Sequence, residues 1–131
     1  MVQYLTAEDI ARFNAAFVGE DVPFDFGLLE SAAFRPQTTI GGVDTFPNIH
    51  ERAAALMHAL IRNHPFLDGN KRTAVSAIYV FYRLNGSRLV LDQGEVVALA
   101  VDIAEGELSV AEIAKALTAG TREEPLGPGS G

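Results

Sequence analysis

The stretch from Thr73 to Leu84 constrains the fold most, because nearly all of its residues are apolar. A helix at the surface needs a polar face towards water, so a helix that is apolar almost all round belongs among other helices. Asn85 and Gly86 follow directly, and a glycine in this place is a common signal for the end of a helix. The sequence therefore predicts a helix in the middle of a bundle.

Other amphipathic helices are predicted on both sides of this stretch. An apolar stripe with helical spacing runs from Ile49 to Ile61, and Pro65 should end that helix at about His64. Capping pairs or short apolar runs indicate four more helix starts, at Thr6 with Asp9, Leu28 with Leu29, Asp92 with Glu95, and Ser109 with Glu112.

The segment from 35 to 46 departs from the helical pattern. Gly41 and Gly42 lie there between the β-prone residues Ile40 and Val43, which is typical of a tight hairpin or flap. Together these patterns predict an all-α fold, a compact single-domain helical bundle with one small β-hairpin.

Length and composition limit the domain organisation and the class of protein. The 131 residues fit one domain, predicted over 1–120, and the Gly- and Pro-rich end, 121–131, is predicted to be a disordered tail. The absence of Cys excludes disulfides, thiolate zinc sites and thiol nucleophiles. We see neither a secretory signal nor an apolar run long enough to cross a bilayer, so a cytoplasmic protein without a membrane partner is expected.

The charge balance disfavours direct binding of nucleic acid. Seventeen acidic and ten basic residues give a net charge of −7, which repels a polyanion. Arg62, Lys71 and Arg72 nevertheless form a local basic cluster. Such a cluster suits one small anion.

The loop between the two apolar helices, 64–73, predicts an anion site. A helix that begins near Gly69 or Asn70 presents unpaired N–H groups and the positive end of its dipole. Gly69 allows close approach of the backbone, and Lys71 and Arg72 add two positive charges that oppose the dipole unless an anion is bound. The combination predicts a phosphate nest.

His64 and Asp68 lie at the other side of the same loop. An imidazole is the usual base for a hydroxyl proton at neutral pH, and a carboxylate four residues later can orient the imidazole or hold Mg²⁺ against phosphate oxygens. Each residue alone also has an ordinary interpretation, as a helix cap, a turn or a solvated charge. Their conjunction favours a site for phosphoryl or nucleotidyl transfer.

The same residues resemble the signature of the Fic/Doc superfamily, which is His-x-Phe-x-(Asp/Glu)-(Gly/Ala)-Asn-(Gly/Lys)-Arg. The likeness extends over residues 5 to 118. All fixed positions of the signature are matched in this chain, by His64, Phe66, Asp68, Gly69, Asn70, Lys71 and Arg72.

At two positions the chain resembles the Doc branch of the superfamily more than the AMP-transferring Fic branch. Lys71 stands where AMP-transferring Fic proteins carry Gly, and Val75 stands where many of them carry a second Arg. This implies transfer of the γ-phosphate of ATP, with Mg²⁺, to a Ser/Thr hydroxyl of a protein target, as Doc toxins do to elongation factor Tu.

The resemblance also implies a role for each residue of the signature. His64 would be the base, Asp68 would orient it or bind Mg²⁺, and the 35–46 flap would align the target. Phosphates would be held by Gly69, Asn70, Lys71 and Arg72, with Arg62 as a weaker candidate.

The resemblance further implies an antitoxin whose disordered C-terminal segment folds as a helix on the toxin. Two alternatives stay open. One keeps the fold but transfers AMP or another nucleotide, which Gly69 permits because it is common among AMP-transferring members. The other is a catalytically silent module that binds a peptide.

Overall fold

A computed structural model describes residues 1–126 of the chain. Six α-helices and two short two-stranded sheets confirm the predicted all-α class. No helix in this part of the chain is both long enough and apolar enough to span a membrane. In order, the elements are α1 (Ala7–Val18), α2 (Phe26–Phe34), a 3-10 turn (Arg35–Gln37), β1 (Thr39–Ile40), β2 (Val43–Asp44), α3 (Ile49–Arg62), α4 (Asn70–Leu84), β3 (Ser87–Leu89), α5 (Gln93–Ala104), α6 (Val110–Ala119) and β4 (Thr121–Glu123).

The centre of the bundle is α3, and not α4 as the sequence predicts. α3 packs against α2, α4, α5 and α6, and its small residues, among them Ala53 and Ala59, let these neighbours approach closely. α4 buries one face, but Val75, Tyr79 and Val80 on its other side are only half-buried. These three side chains line surface cavities, whereas most of the remaining apolar residues of α4 are buried.

Three helices begin at the capping residues that the sequence predicts, and hydrogen bonds of those residues hold the helix starts. The side chain of Thr6 accepts from the Asp9 N–H and the Asp9 carboxylate accepts from the Thr6 N–H, and Ser109 with Glu112 forms the same reciprocal box. Asp92 caps α5 by accepting from the backbone N–H three residues later. These predicted starts are confirmed.

The predicted hairpin is confirmed. Strands β1 and β2 are antiparallel, with Ile40 opposite Val43. Gly41 and Gly42 between them have φ of 58° and 80°, a left-handed pair of the kind that tight two-residue hairpin turns require.

A second sheet, of β3 with β4, was not predicted. Leu89 pairs with Thr121, so the predicted disordered tail of 121–131 begins too early: its first three residues form a strand. Backbone hydrogen bonds at both ends hold this strand against β3. Gly120 O accepts from the Val90 N–H at 2.7 Å, and the Glu124 N–H donates to Gly86 O at 2.8 Å. Residues 127–131 of the predicted tail lie outside the described residues.

Candidate functional site

His64 opens the connection between α3 and α4 with an unusual backbone. Its φ is 49°, which makes it the one non-glycine residue of positive φ among residues 1–126. This left-handed conformation costs an ordinary residue roughly 1–2 kcal/mol. The side chain is exposed and lines a shallow depression of about 520 Å³ together with Pro23 and Asp25. The chain thus holds an imidazole at a surface position where glycine would be more relaxed.

The segment after His64 is fixed to the rest of the molecule at Phe66. This side chain is buried, and its ring packs 5.6 Å from the ring of Phe24. On either side of it, Pro65 O accepts from the Asp25 N–H at 2.7 Å, and the Leu67 N–H donates to Pro23 O at 3.3 Å. The segment before α2 therefore holds the loop in place.

Asn70 closes the loop from within. Its Oδ1 accepts from the Phe66 N–H at 3.0 Å, and its Nδ2 donates to Phe66 O at 2.8 Å. The side-chain amide to which the family resemblance gives a phosphate-binding role therefore holds the loop backbone in this structure.

Asn14, on α1, joins the far end of the loop to the bundle. It is 3% exposed, and its Nδ2 donates to Asp68 O at 2.8 Å and to Thr73 Oγ1 at 3.0 Å. Gly69 lies against the same helix with a φ of 79°, and a Cβ added there would stand 3.0 Å from Asn14 Nδ2 and from Val18 Cγ1. The missing side chain of Gly69 thus makes room for α1.

α4 begins without a side-chain cap. Its N-cap is Gly69, whereas a side chain at the N-cap accepts a backbone hydrogen bond at each of the other five α-helices of residues 1–126. The first N–H groups of a helix have no partner within it, and the dipole adds about half a positive charge at this end. The first turn of α4 consequently presents uncapped donors.

Lys71 and Arg72 add full charges at the same turn. Within residues 1–126, neither lies within ion-pair distance of a carboxylate, although four other arginines do. The Arg72 guanidinium lies over the ring of Phe17, 4.4 Å from its centre. Both residues line a cavity of about 410 Å³ whose other walls include Val75 and Tyr79 from α4 and residues of α5.

The predicted site residues are thus distributed over more than one surface. His64 lines one depression, and Lys71 and Arg72 line another cavity. Asp68, between them in sequence, is exposed, and its Oδ1 accepts from the Gly69 N–H at 2.8 Å. Arg62 donates from Nη1 to Ala104 O at 2.8 Å, so it stabilises the carbonyl end of α5.

Sequence reasoning missed the residues that hold this loop, above all Asn14. The one available signal was a polar residue four positions after Ile10, on the face of α1 that the apolar repeat predicts to be buried. Pro23 and Asp25 were also missed, because they act through their backbone and carry no motif.

Comparison with known proteins agrees with the motif. The model of the Fic/DOC family matches residues 3–82. Over 93 residues the chain is 46% identical to "Toxin Doc" of Mycolicibacterium smegmatis (strain ATCC 700084 / mc(2)155), covering 70% of this chain and 72% of that protein. It is 36% identical, also over 93 residues, to "Protein kinase doc" of Escherichia phage P1, covering 71% of this chain and 72% of that protein.

Proposed function

The chain belongs to the Fic/DOC family, and from this we propose that it is a Doc-like toxin that transfers the γ-phosphate of ATP to a Ser/Thr hydroxyl of a protein target. We propose elongation factor Tu as the target, so that translation stops. The names of the two relatives, a toxin and a protein kinase, support the class of activity.

The observation that carries the proposal is the first turn of α4. It lacks the side-chain cap that the other α-helices have, and it bears Lys71 and Arg72 without carboxylate partners in the described chain. Basic side chains at a helix N-terminus are unfavourable by about 0.3–1 kcal/mol each unless an anion is bound. In a chain of net charge −7, this turn suits the phosphates of a nucleotide.

His64 is the proposed base. The acceptor oxygen bonds to the γ-phosphorus while the bond from that phosphorus to the β–γ bridging oxygen breaks, and ADP leaves with the bridging oxygen. The hydroxyl proton passes to a ring nitrogen of His64. Exposure of the imidazole beside Pro23 and Asp25 supports this role, because a protein segment can reach it there.

Asp68 fits a site for Mg²⁺ of the kind that forms with a nucleotide. Its side chain is exposed, and within residues 1–126 only Oδ1 accepts a hydrogen bond, from the Gly69 N–H, so Oδ2 has no partner in this part of the chain. Mg²⁺ is commonly held by one or two carboxylates together with substrate phosphates. When bound, it would neutralise charge on the phosphates. Asp68 would hold the ion on the loop, and its Oδ1 would keep Gly69 in place.

Regulation by an antitoxin belongs to the same proposal. The 410 Å³ cavity is walled mostly by apolar residues, among them Val75, Tyr79 and Val96, and has Lys71 and Arg72 at one end. A helix of the antitoxin that folds into this cavity would cover the two cations. Nucleotide binding would then be prevented.

The test is a transfer assay with ATP labelled at either the α- or the γ-phosphate, in which the purified chain is incubated with purified elongation factor Tu and, in a second reaction, with a translation extract. Label from the γ position on the factor is the expected result. Label from the α position would establish AMP transfer instead, and no label from either position on any protein of a translation extract would indicate a silent binding module. γ-label on a different protein of that extract would refute elongation factor Tu as the target.

The matched variant is His64→Asn. Asparagine tolerates the left-handed conformation that residue 64 adopts, so the loop should keep its shape while the base is lost. We expect no transfer by this variant. Transfer at the wild-type rate would show that His64 is not the base.

A further inference from the structure

A groove of about 760 Å³ lies between the second half of α4 and the β3–β4 sheet. We call it the arginine groove. Its floor is apolar and includes Leu84 and Val90, which are 42% and 49% exposed. Three arginines line it as well, Arg83, Arg88 and Arg122. Large apolar side chains that remain exposed beside a group of cations are typical of a surface that binds another molecule.

The pairing of β3 with β4 concentrates positive charge beside this floor. Arg88 lies directly opposite Arg122 in the antiparallel register, and like charges in this relation are destabilising. Arg122 has no carboxylate within ion-pair distance among residues 1–126. The two arginines are two of only ten basic residues in a chain of net charge −7. An anionic partner would relieve their repulsion.

The chain's own Glu124 shows which anion the groove accepts. Its Oε2 lies 3.6 Å from Nε of Arg83 and its Oε1 lies 3.6 Å from Nη1 of Arg88, so one carboxylate spans two of the arginines. Both pairs are long and partly exposed, and pairs of this kind contribute at most about 1 kcal/mol. A carboxylate from another molecule can therefore join or displace Glu124.

We propose that the arginine groove binds an acidic amphipathic segment of a partner protein. The carboxylates of that segment would meet Arg88 and Arg122, and its apolar side chains would cover Leu84 and Val90. The exposed apolar side chains of the groove favour an amphipathic protein segment over a nucleic acid, because a phosphate backbone would leave Leu84 and Val90 uncovered. This surface is separate from the loop of His64, and the proposal does not depend on phosphate transfer.

The experiment uses two synthetic amphipathic peptides of about 16 residues, a little over four helical turns. They share a leucine face, and one carries glutamates where the other carries lysines. Each is titrated into the full chain while fluorescence anisotropy and backbone amide shifts are recorded. We expect the glutamate peptide alone to bind, more weakly at high salt, with shifts at residues 79–91 and 121–123.

Glu124→Gln gives the sharpest test, with Glu123→Gln as its control. Both remove one negative charge from neighbouring positions, but only Glu124 pairs with arginines of the groove in the described chain. Glu124→Gln should tighten binding of the glutamate peptide several-fold, and Glu123→Gln should change it by less than half as much. Equal effects would show that net charge alone attracts the peptide.

Removal of the arginines completes the test. Arg88→Ala and Arg122→Ala should each weaken the glutamate peptide about tenfold, whereas Arg12→Ala, an exposed arginine on α1, should leave it unchanged. The proposal is overturned if neither peptide binds, if the lysine peptide binds equally well, or if the shifts lie elsewhere. Stronger binding of a single-stranded RNA than of the glutamate peptide at the same residues would overturn it too.

Discussion

The side-chain amide of Asn14 donates to the backbone carbonyl of Asp68 at 2.8 Å, across 54 positions of sequence. One buried polar side chain on α1 thus fixes the end of the loop that carries the family signature. The same Nδ2 also donates to the Thr73 hydroxyl, in the first turn and a half of α4. The position of the proposed phosphate turn therefore depends on a residue outside the signature.

Asn14→Leu should destabilise the fold by about 1–3 kcal/mol, because Asp68 O and the Thr73 hydroxyl lose a buried partner. Urea unfolding followed by circular dichroism measures this. Thr73→Val serves as the milder comparison, since it removes only the contact between the two side chains. An Asn14→Leu chain as stable as wild type would show that water replaces the amide.

Gly69→Ala should cost more stability than Gly41→Ala, although both glycines have positive φ. An added Cβ at Gly41 meets open space, so only the left-handed penalty of about 1–2 kcal/mol applies. At Gly69 the Cβ would also stand 3.0 Å from Asn14 Nδ2 and Val18 Cγ1, and α1 or the loop must shift. Thermal unfolding of both variants gives the comparison, and equal losses would mean that α1 moves away without cost.

His64→Gly should be more stable than His64→Ala by roughly 1 kcal/mol, because glycine adopts the left-handed conformation without a Cβ clash. Both variants lack the imidazole, so neither should transfer phosphate. Parallel measurement of unfolding and transfer separates the two properties. If His64→Ala were as stable as His64→Gly, the backbone at this position would not be strained.

Local rules predicted those parts of the fold that local contacts determine. Thr6 bonds to Asp9 and Gly41 precedes Gly42, so a short window of sequence contains all the relevant atoms. The role of Asn14 depends on a distant carbonyl, and the β3–β4 sheet depends on two segments that are far apart in sequence, so that Leu89 lies opposite Thr121. No periodicity reports such pairings.

The same contrast between local and long-range contacts applies to the candidate site. The signature residues lie close together in sequence, in one loop and the first turn of α4, but closeness in sequence does not determine which cavity each side chain enters. His64 and Lys71 line different cavities, although they are only seven positions apart in sequence. Arg62, two positions before His64, contacts α5 instead.

Acidification below about pH 6.5 should destabilise the fold, because two histidines are harder to protonate in the folded chain. About 6.5 is the ordinary pKa of histidine. Burial, with the charges of Arg35 and Arg62, lowers the pKa of His58, and burial lowers the pKa of His50. The unfolded chain then binds more protons than the folded chain, so the free energy of unfolding falls as pH falls through this range. Above the unfolded pKa this effect is absent.

Urea unfolding at pH 7.5 and at pH 5.5 measures the difference. We expect a lower midpoint at the acid pH, and a smaller difference in His58→Gln. The window lies above the ordinary range of carboxyl groups, so their titration contributes little to it. A midpoint that rises on acidification would contradict the assignment of both histidines.

Arg72→Ala and Lys71→Ala should each weaken binding of ATP about tenfold or more, equivalent to about 1.4 kcal/mol, since each removes a cation from the uncapped turn of α4. Arg62→Ala is the matched control. It removes the same charge as Arg72→Ala, but its guanidinium is bound to Ala104 O, so it should cost stability and leave ATP binding unchanged. Isothermal titration with ATP, at low and at physiological salt, separates these cases. A loss of affinity in Arg62→Ala equal to that in Arg72→Ala would mean that the whole basic cluster attracts the nucleotide from a distance, and the first turn of α4 would lose its special role.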